Sequence, residues 1–182
     1  MNKQETINLS LKANQEIANA LLSKSDDIST VADKFRSCLR AGGKLIFFGN
    51  GGSAADSMHI AAEYASKGLS AISLSENIAA VMAIGNDTSY NEVFTLQLKA
   101  LARDNDLAVA LSASGESKNI IAALEYCKQN GIATIGFTGD QKNSLSKLAG
   151  VCFEAPSGDV GRIQETYLLV NHIIYQLVRE TI

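Results

Sequence analysis

Short apolar runs alternate with helical patterns along most of the chain. Five runs without charged side chains are typical of strands covered on both faces: residues 45–48, 69–74, 107–111, 132–137 and 151–153. Between the later runs, apolar side chains recur at helical spacing over residues 79–84, 93–101, 120–130 and 163–179. This alternation predicts an α/β fold, an αβα sandwich with a central parallel sheet.

The first 41 residues carry a different pattern, that of two amphipathic helices. Apolar spacing predicts helices over residues 3–23 and 27–40, with residues 25–27 suited to cap the second helix and Gly42 and Gly43 suited to end it. We expect this pair to cover a sheet edge or to pack on a partner subunit. The predicted organisation is one domain over residues 1–182, with a helical extension at 1–41 and an α/β core at 42–182.

Composition and charge exclude several classes of partner. A net charge of −3 and a pI near 5.4 provide no basic surface for nucleic acid. The longest apolar-rich run, residues 166–178, is interrupted by polar residues and is shorter than the roughly 20 residues that a bilayer demands. Three widely spaced cysteines indicate reduced thiols, and residues 1–6 lack the apolar core of a signal peptide. We therefore expect a cytoplasmic protein that binds neither nucleic acid nor membrane.

A glycine turn between the first strand and its helix is the strongest local signal. Gly49, Gly51 and Gly52 flank Asn50 and permit close backbone approach, while Ser53 is suited to cap the helix. Free N–H groups at such a helix end favour a phosphate or a sugar hydroxyl. A turn without a ligand is the alternative. The glycines match neither the Walker nor the dinucleotide pattern.

A second polar turn, residues 112–117, follows the strand at 107–111 and contains three serines. Ligands of open α/β sheets bind beyond the carboxyl ends of the strands, which is where this turn is predicted to lie. Hydroxyl and N–H groups there can hold a phosphate without a lysine. A serine-rich turn that only caps a helix is an equally good interpretation of these residues alone.

The two histidines of the chain lie on two predicted helices. His59 and Glu63 are four residues apart and therefore share one helix face, which favours a metal or acid/base site over a structural histidine. His172 lies on the closing helix, downstream of Gln164 and Glu165. By helical angle alone, Glu165 lies closer to the direction of His172 than Gln164 does.

Taken together, these motifs resemble the sugar isomerase (SIS) domain family and, within it, the phosphoheptose isomerases. The matching segments occur in the family's order and approximate spacing between residues 40 and 182: 49–53, 59–63, 83–87, 112–117 and 162–165, followed by His172. No single segment is specific, but the set is.

The resemblance implies a homotetramer with sites between subunits, and conversion of sedoheptulose 7-phosphate to D-glycero-D-manno-heptose 7-phosphate through an enediol, for lipopolysaccharide or capsule. It implies zinc, one ion per subunit, held by His59, Glu63, Gln164 and His172, with Glu63 and His172 as the catalytic acid/base pair. It thus selects Gln164 instead of Glu165. The implied substrate-binding residues are Asn50, Gly51, Gly52, Ser53, Glu63, Asn86, Asp87, Ser112, Ala113, Ser114, Ser117 and Gln164.

Three departures from the family pattern leave the exact sugar open. The segment after Glu63 is short, Ala113 replaces a threonine, and Gly161 stands where an acidic or other small residue is usual. Another ketose phosphate is therefore an alternative substrate. A non-catalytic module that binds sugar phosphates or the replication initiator is a further alternative, although such initiator-associating relatives lack the residues that correspond to Glu63 and His172.

Overall fold

The computed structural model describes residues 2–182 and confirms the predicted fold class. Five parallel strands form one sheet in the order β2-β1-β3-β4-β5: β1 (Leu45–Gly49), β2 (Ala71–Ser73), β3 (Leu107–Leu111), β4 (Ala133–Gly139) and β5 (Val151–Ala155). The chain leaves β1 toward one edge and later returns beside it as β3. The loops after β1 and β3 therefore diverge and leave a crevice at the carboxyl end of the sheet.

Helices cover both faces of this sheet, and their bounds are α1 (Lys3–Leu21), α2 (Ser25–Arg40), α3 (Gly52–Ala65), α4 (Ile78–Asp87), α5 (Thr95–Leu101), α6 (Lys118–Gln129), α7 (Ser144–Leu148) and α8 (Val160–Arg179). Successive strand side chains point to opposite faces. Leu45 and Phe47 of β1 therefore pack in the layer of α2, α3 and α8, whereas Ile46 and Phe48 pack in the layer of α5, α6 and α7. Burial on both faces explains why the strand sequences are apolar throughout.

The second N-terminal helix, α2, differs from its prediction in position and in its first residue. α2 lies on the sheet face, not over an edge, and Phe35 contacts Phe47 edge-on at a ring-centroid distance of 5.8 Å. α2 also begins at Ser25 without a side-chain cap, so residues 25–27 form its first turn instead of preceding it. Gly42, with φ of +75°, follows the end of this helix as predicted.

Two elements beyond β2 were also mispredicted or missed. α4 continues to Asp87, although residues 85–87 were expected to end it earlier. A single glycine inside a helix costs only about 1 kcal/mol, so Gly85 does not end it. The five-residue helix α7 was missed, because it is too short to show a helical period of apolar residues. No helix among the described residues is long and apolar enough to cross a membrane.

Candidate functional site

The glycine turn connects β1 to α3 and projects Asn50 into the crevice. Gly51 has φ of +56°, a left-handed conformation that glycine adopts without steric cost. α3 begins at Gly52, so Ser53 lies inside its first turn and is buried there instead of capping the helix. The capping role predicted for Ser53 is therefore wrong, because the helix begins two residues earlier, with Gly51 at the N-cap.

A cavity of about 200 Å³ opens between this turn, the serine loop after β3 and the start of α8. The cavity gathers predicted residues from all three segments, and its lining consists of Asn50, Ser53, Leu111, Ser112, Ala113, Ser114, Ser117, Val160 and Gln164. Hydroxyl groups converge on it, and the hydroxyls of Ser112 and Ser117 lie 3.4 Å apart. Small polar side chains at the start of a helix provide donors suited to a phosphate.

Gly115 and Glu116 hold the serine loop, residues 112–117, against the start of α7. Gly115 adopts φ of +64° and accepts a hydrogen bond from the N–H of Leu145 at 3.0 Å. The carboxylate of Glu116 accepts from the N–H and the hydroxyl of Ser144, at 2.7 and 2.8 Å, and so caps α7. The loop is thus fixed to α7, which leaves Ser112, Ser114 and Ser117 to line the cavity.

The second part of the site is a cluster of His59, Glu63 and His172. The Nε2 atoms of His59 and His172 are 3.1 Å apart, and Nε2 of His172 lies 3.7 Å from Oε2 of Glu63. One ligand atom from each residue lies within 4.8 Å of the other two. α3 supplies the first two residues at i and i+4, and α8 supplies the third, so the packing of these two helices creates the cluster.

These three residues suit a divalent cation. Two nitrogens at tetrahedral positions around zinc, each about 2.05 Å from the ion, lie about 3.3 Å apart, which is close to the spacing of the two Nε2 atoms. Oε2 of Glu63 is buried without a hydrogen-bond partner in the described chain. An unpartnered buried carboxylate oxygen is costly unless it binds a proton or a cation. Imidazole and carboxylate ligands match the preferences of zinc.

The side chains of Gln164 and Glu165, which are adjacent on α8, have different surroundings. The amide of Gln164 lies over Gly52, where an added Cβ would be 2.6 Å from both of its polar atoms. Glu165 is exposed and forms an ion pair with Arg162 at 2.7 Å. The placement against α3 and the cavity favours Gln164 as the site residue, in agreement with the family resemblance and against the helical angle alone.

Asn86 and Asp87 do not line the cavity. They lie exposed in the last turn of α4, where the amide of Asn86 donates to the carboxylate of Asp87 at 2.7 Å. Their predicted contact with the sugar stays a prediction.

Sequence reasoning missed Asp56, Asn119 and Tyr90. Asp56 lies one helical turn before His59, and burial raises the pKa of its carboxyl to about 6, although the nearby charge of His59 works in the opposite direction. Asn119 and Tyr90 hydrogen-bond to the side chain of Asn50. Spacing could have indicated Asp56, which shares a helix face with His59 and Glu63. The contacts of Asn50 depend on tertiary structure.

The chain is similar to known proteins of one family. The SIS domain family matches residues 11–139. The phosphoheptose isomerase of Thermodesulfovibrio yellowstonii is 41% identical over 159 residues, covering 84% of this chain and 79% of that relative. The phosphoheptose isomerase of Burkholderia pseudomallei strain K96243 is 37% identical over 177 residues, covering 92% and 90%.

Similarity in three dimensions includes the elements that lie outside the SIS match. The structure of the phosphoheptose isomerase from Neisseria gonorrhoeae superposes with a TM-score of 0.96 at 29% identity, covering 99% of this chain and all of that one. This coverage includes α8, which carries Gln164 and His172. With both cavity loops and the histidine–glutamate cluster in place, the chain belongs to the SIS domain family and, within it, to the phosphoheptose isomerases.

Proposed function

We propose that this protein is an aldose–ketose isomerase that converts sedoheptulose 7-phosphate to D-glycero-D-manno-heptose 7-phosphate. The observation that carries the proposal is the convergence of Glu63, His59 and His172 between two helices that also border a serine-lined cavity. This arrangement pairs an acid/base cluster with a phosphate site. The names of the relatives support the same reaction.

The serine loop would bind the phosphate of the substrate. Ser112, Ser114 and Ser117 provide hydroxyls, and the first N–H groups of α6 add partial positive charge. Asn50, Gly51 and Gly52 would contact the sugar from the neighbouring turn. Fixing the phosphate there would orient the carbonyl end of the chain for proton transfer.

Glu63 and His172 would carry the protons. Isomerisation removes a proton from C1 of the ketose and returns it to C2 through an enediol, while a proton moves between the two oxygens. A carboxylate with an unpartnered buried oxygen is suited to the carbon proton, and an imidazole 3.7 Å away is suited to the oxygen proton.

His59, Glu63, Gln164 and His172 would hold one zinc ion per subunit. Such an ion would act as a Lewis acid that stabilises negative charge on the substrate oxygens. The donor set supports zinc because it combines two imidazoles, a carboxylate and an amide.

We further propose a homotetramer in the cytoplasm, with sites between subunits. His59 is exposed, and the side chain of His172 is 45% exposed, so a neighbouring subunit has room to cover the cluster. An apolar groove of about 340 Å³ also lies between α1, α2 and α8. Three unpaired cysteines are in keeping with a reducing compartment.

The decisive experiment measures turnover of sedoheptulose 7-phosphate by the purified protein, with and without added zinc, beside the Glu63→Gln variant. We expect the wild type to isomerise the sugar and the variant to lose about 10²- to 10⁴-fold in kcat, because the amide cannot accept the carbon proton. Glu165→Gln is the matched control, since it makes the same change at an exposed carboxylate on α8. That variant should retain kcat within about twofold.

Each result separates the alternatives. Turnover of a different ketose phosphate would retain the reaction type and change the substrate. Binding of sugar phosphates without turnover would favour a non-catalytic module. Equal activity in wild type and Glu63→Gln would refute the assigned role of Glu63.

A further inference from the structure

A pair of side-chain amides joins the glycine turn after β1 to the first turn of α6, directly after the serine loop. Because of their proposed ligands, we call the glycine turn (residues 49–53) the sugar turn and the serine loop (residues 112–117) the phosphate loop. Nδ2 of Asn50 donates to Oδ1 of Asn119 at 2.8 Å, and Nδ2 of Asn119 donates back to Oδ1 of Asn50 at 2.9 Å. The hydroxyl of Tyr90 donates to the same Oδ1 of Asn50 at 3.0 Å. We call Asn50, Asn119 and Tyr90 the amide clamp.

The clamp uses nearly all the hydrogen-bonding capacity of Asn50. A side-chain amide has two acceptor sites on oxygen and two donors on nitrogen. Asn119 and Tyr90 fill both acceptor sites, and Asn119 takes one donor. A single N–H of Asn50 therefore remains for a ligand, and the amide cannot rotate without breaking three bonds.

Asn119 is itself fixed by its position in α6. It is buried in the first turn of that helix, two residues after Ser117, and its Oδ1 also accepts from the N–H of Ile120 at 3.0 Å. Tyr90 begins a short 3-10 turn shortly after Asn86 and Asp87. The clamp thus joins the turn at Asn50 to two elements that follow segments assigned to the substrate by the family resemblance. Asn119 follows the loop that ends at Ser117, and Tyr90 follows the end of α4.

We infer that Asn119 and Tyr90 are positioning residues that fix the sugar turn at a set distance from the phosphate loop. The inference rests on the proposed isomerase function, because the separation matters only if one substrate spans both loops. A phosphate held at one end and a carbonyl held at the other must both be placed to within a fraction of an ångström for proton transfer. Loosening the turn would then reduce turnover without removing a group that touches the reacting carbons.

The test compares Asn119→Ala, Asn50→Ala and the double variant in turnover of sedoheptulose 7-phosphate. We expect Asn119→Ala to lower kcat/KM by about 10-fold or more, mainly through kcat, while the inhibition constant of inorganic phosphate changes less than about twofold. Because Asn119 acts through Asn50, its substitution should cost little more once Asn50 is alanine. Tyr90→Phe, which removes one hydroxyl, should lower kcat/KM by about threefold.

Asn130→Ala is the matched control, since Asn130 lies at the other end of α6 and its side chain donates only to its own helix, at Tyr126 O. Its kinetics should equal those of the wild type. Hydrogen–deuterium exchange over residues 50–53 provides a readout without substrate, and should accelerate in Asn119→Ala but not in Asn130→Ala. All assays are run well below the melting temperature of each variant.

Two results would overturn the inference: an Asn119→Ala enzyme with unchanged kcat/KM, or losses for Asn50 and Asn119 that multiply in the double variant. A wild type that fails to turn over the heptulose would refute the proposed substrate instead. In that case, faster exchange in Asn119→Ala alone would still support the coupling of the two loops, and unchanged exchange would refute it.

Discussion

Asp56 shares one stripe of α3 with Gly52, His59 and Glu63, spaced i, i+4, i+7 and i+11 toward α8. Its carboxyl is buried, and Oδ2 has no hydrogen-bond partner within residues 2–182. Burial raises the pKa of Asp56 from about 3.8 to about 6. The ionised carboxylate therefore costs folding free energy at neutral pH.

We expect Asp56→Asn to stabilise the metal-free protein at neutral pH. The folded state binds the proton of Asp56 more tightly than the unfolded chain does, so its contribution to stability falls as the pH rises from about 4 to about 6. A shift of about two pKa units corresponds to roughly 2–3 kcal/mol. Denaturant unfolding with a chelator present should show a gain of this order for the variant at pH 7.5 and a much smaller one at pH 4.

Asp104→Asn provides the control, because it removes one negative charge from an exposed loop. A difference between wild type and Asp56→Asn that stays constant from pH 4 to 7.5 would show that burial of the charge is not the cause. Loss of zinc affinity in Asp56→Asn would indicate that the destabilised carboxylate strengthens the neighbouring ligands.

At this scale, sequence spacing alone predicted two of the three residues of the cluster. His59 and Glu63 lie four residues apart, and helical geometry alone places them together. His172 is 113 residues from His59, so its position came from the family resemblance and not from spacing. Asn50 and Asn119, 69 residues apart, carried no local signal of their contact.

Among the elements, the loop between β3 and α6 depends on a single glycine, Gly115. A Cβ added to Gly115 would lie 2.2 Å from the side chain of Asn143. Asn143 cannot move freely, because it donates to Thr138 Oγ1 at 3.0 Å and accepts from the N–H of Ser146 at 2.9 Å. The phosphate loop and the start of α7 therefore pack together as one unit.

Gly115→Ala should destabilise the protein by about 3–5 kcal/mol. About 1–2 kcal/mol is the cost of the left-handed backbone for alanine, and the rest comes from displacing Asn143. Gly131→Ala separates the two terms, since Gly131 has φ of +70° and its added Cβ would have no neighbour within 4 Å. Unfolding free energies and inorganic phosphate affinity are measured for both. Equal losses of stability, or unchanged phosphate affinity in Gly115→Ala, would contradict the account.

Elements with a strong local sequence pattern were predicted more accurately than elements with a weak one. β3 was predicted to the residue, because five consecutive apolar side chains are buried on both faces. α7 was missed because five residues are too few to show a helical period, even though Asn143 caps its first turn locally. The predicted end of α4 at Gly85 failed because one glycine costs a helix only about 1 kcal/mol.

For the whole molecule, α1 is a long helix whose apolar side chains remain largely exposed in a single chain. It buries only Ile17 and Leu21, while Ile7 and Leu11 are more than half exposed on one face. At i+11 and i+15 from Ile7, the same face continues into Ala18 and Leu22 of the apolar groove beside α8. A surface of this kind is typical of helix packing between subunits, which is one of the two placements expected for the N-terminal helices.

Replacing Ile7 and Leu11 together with glutamate should therefore dissociate the proposed tetramer without unfolding the subunit. The wild type should have about four times the chain mass of 19.3 kDa by light scattering, and the variant should fall to a dimer or monomer with unchanged helical circular dichroism. Charges on both copies of a contact would repel each other and lose apolar burial. Leu9→Glu is the control, because Leu9 is similarly exposed but lies two residues from Ile7 and from Leu11, on the opposite side of α1. A variant that remains tetrameric would show that subunits meet elsewhere.

A monomeric wild type that still turns over the sugar phosphate would show that one chain completes the site. Loss of turnover together with the tetramer is the result expected if a neighbouring subunit covers His59 and His172.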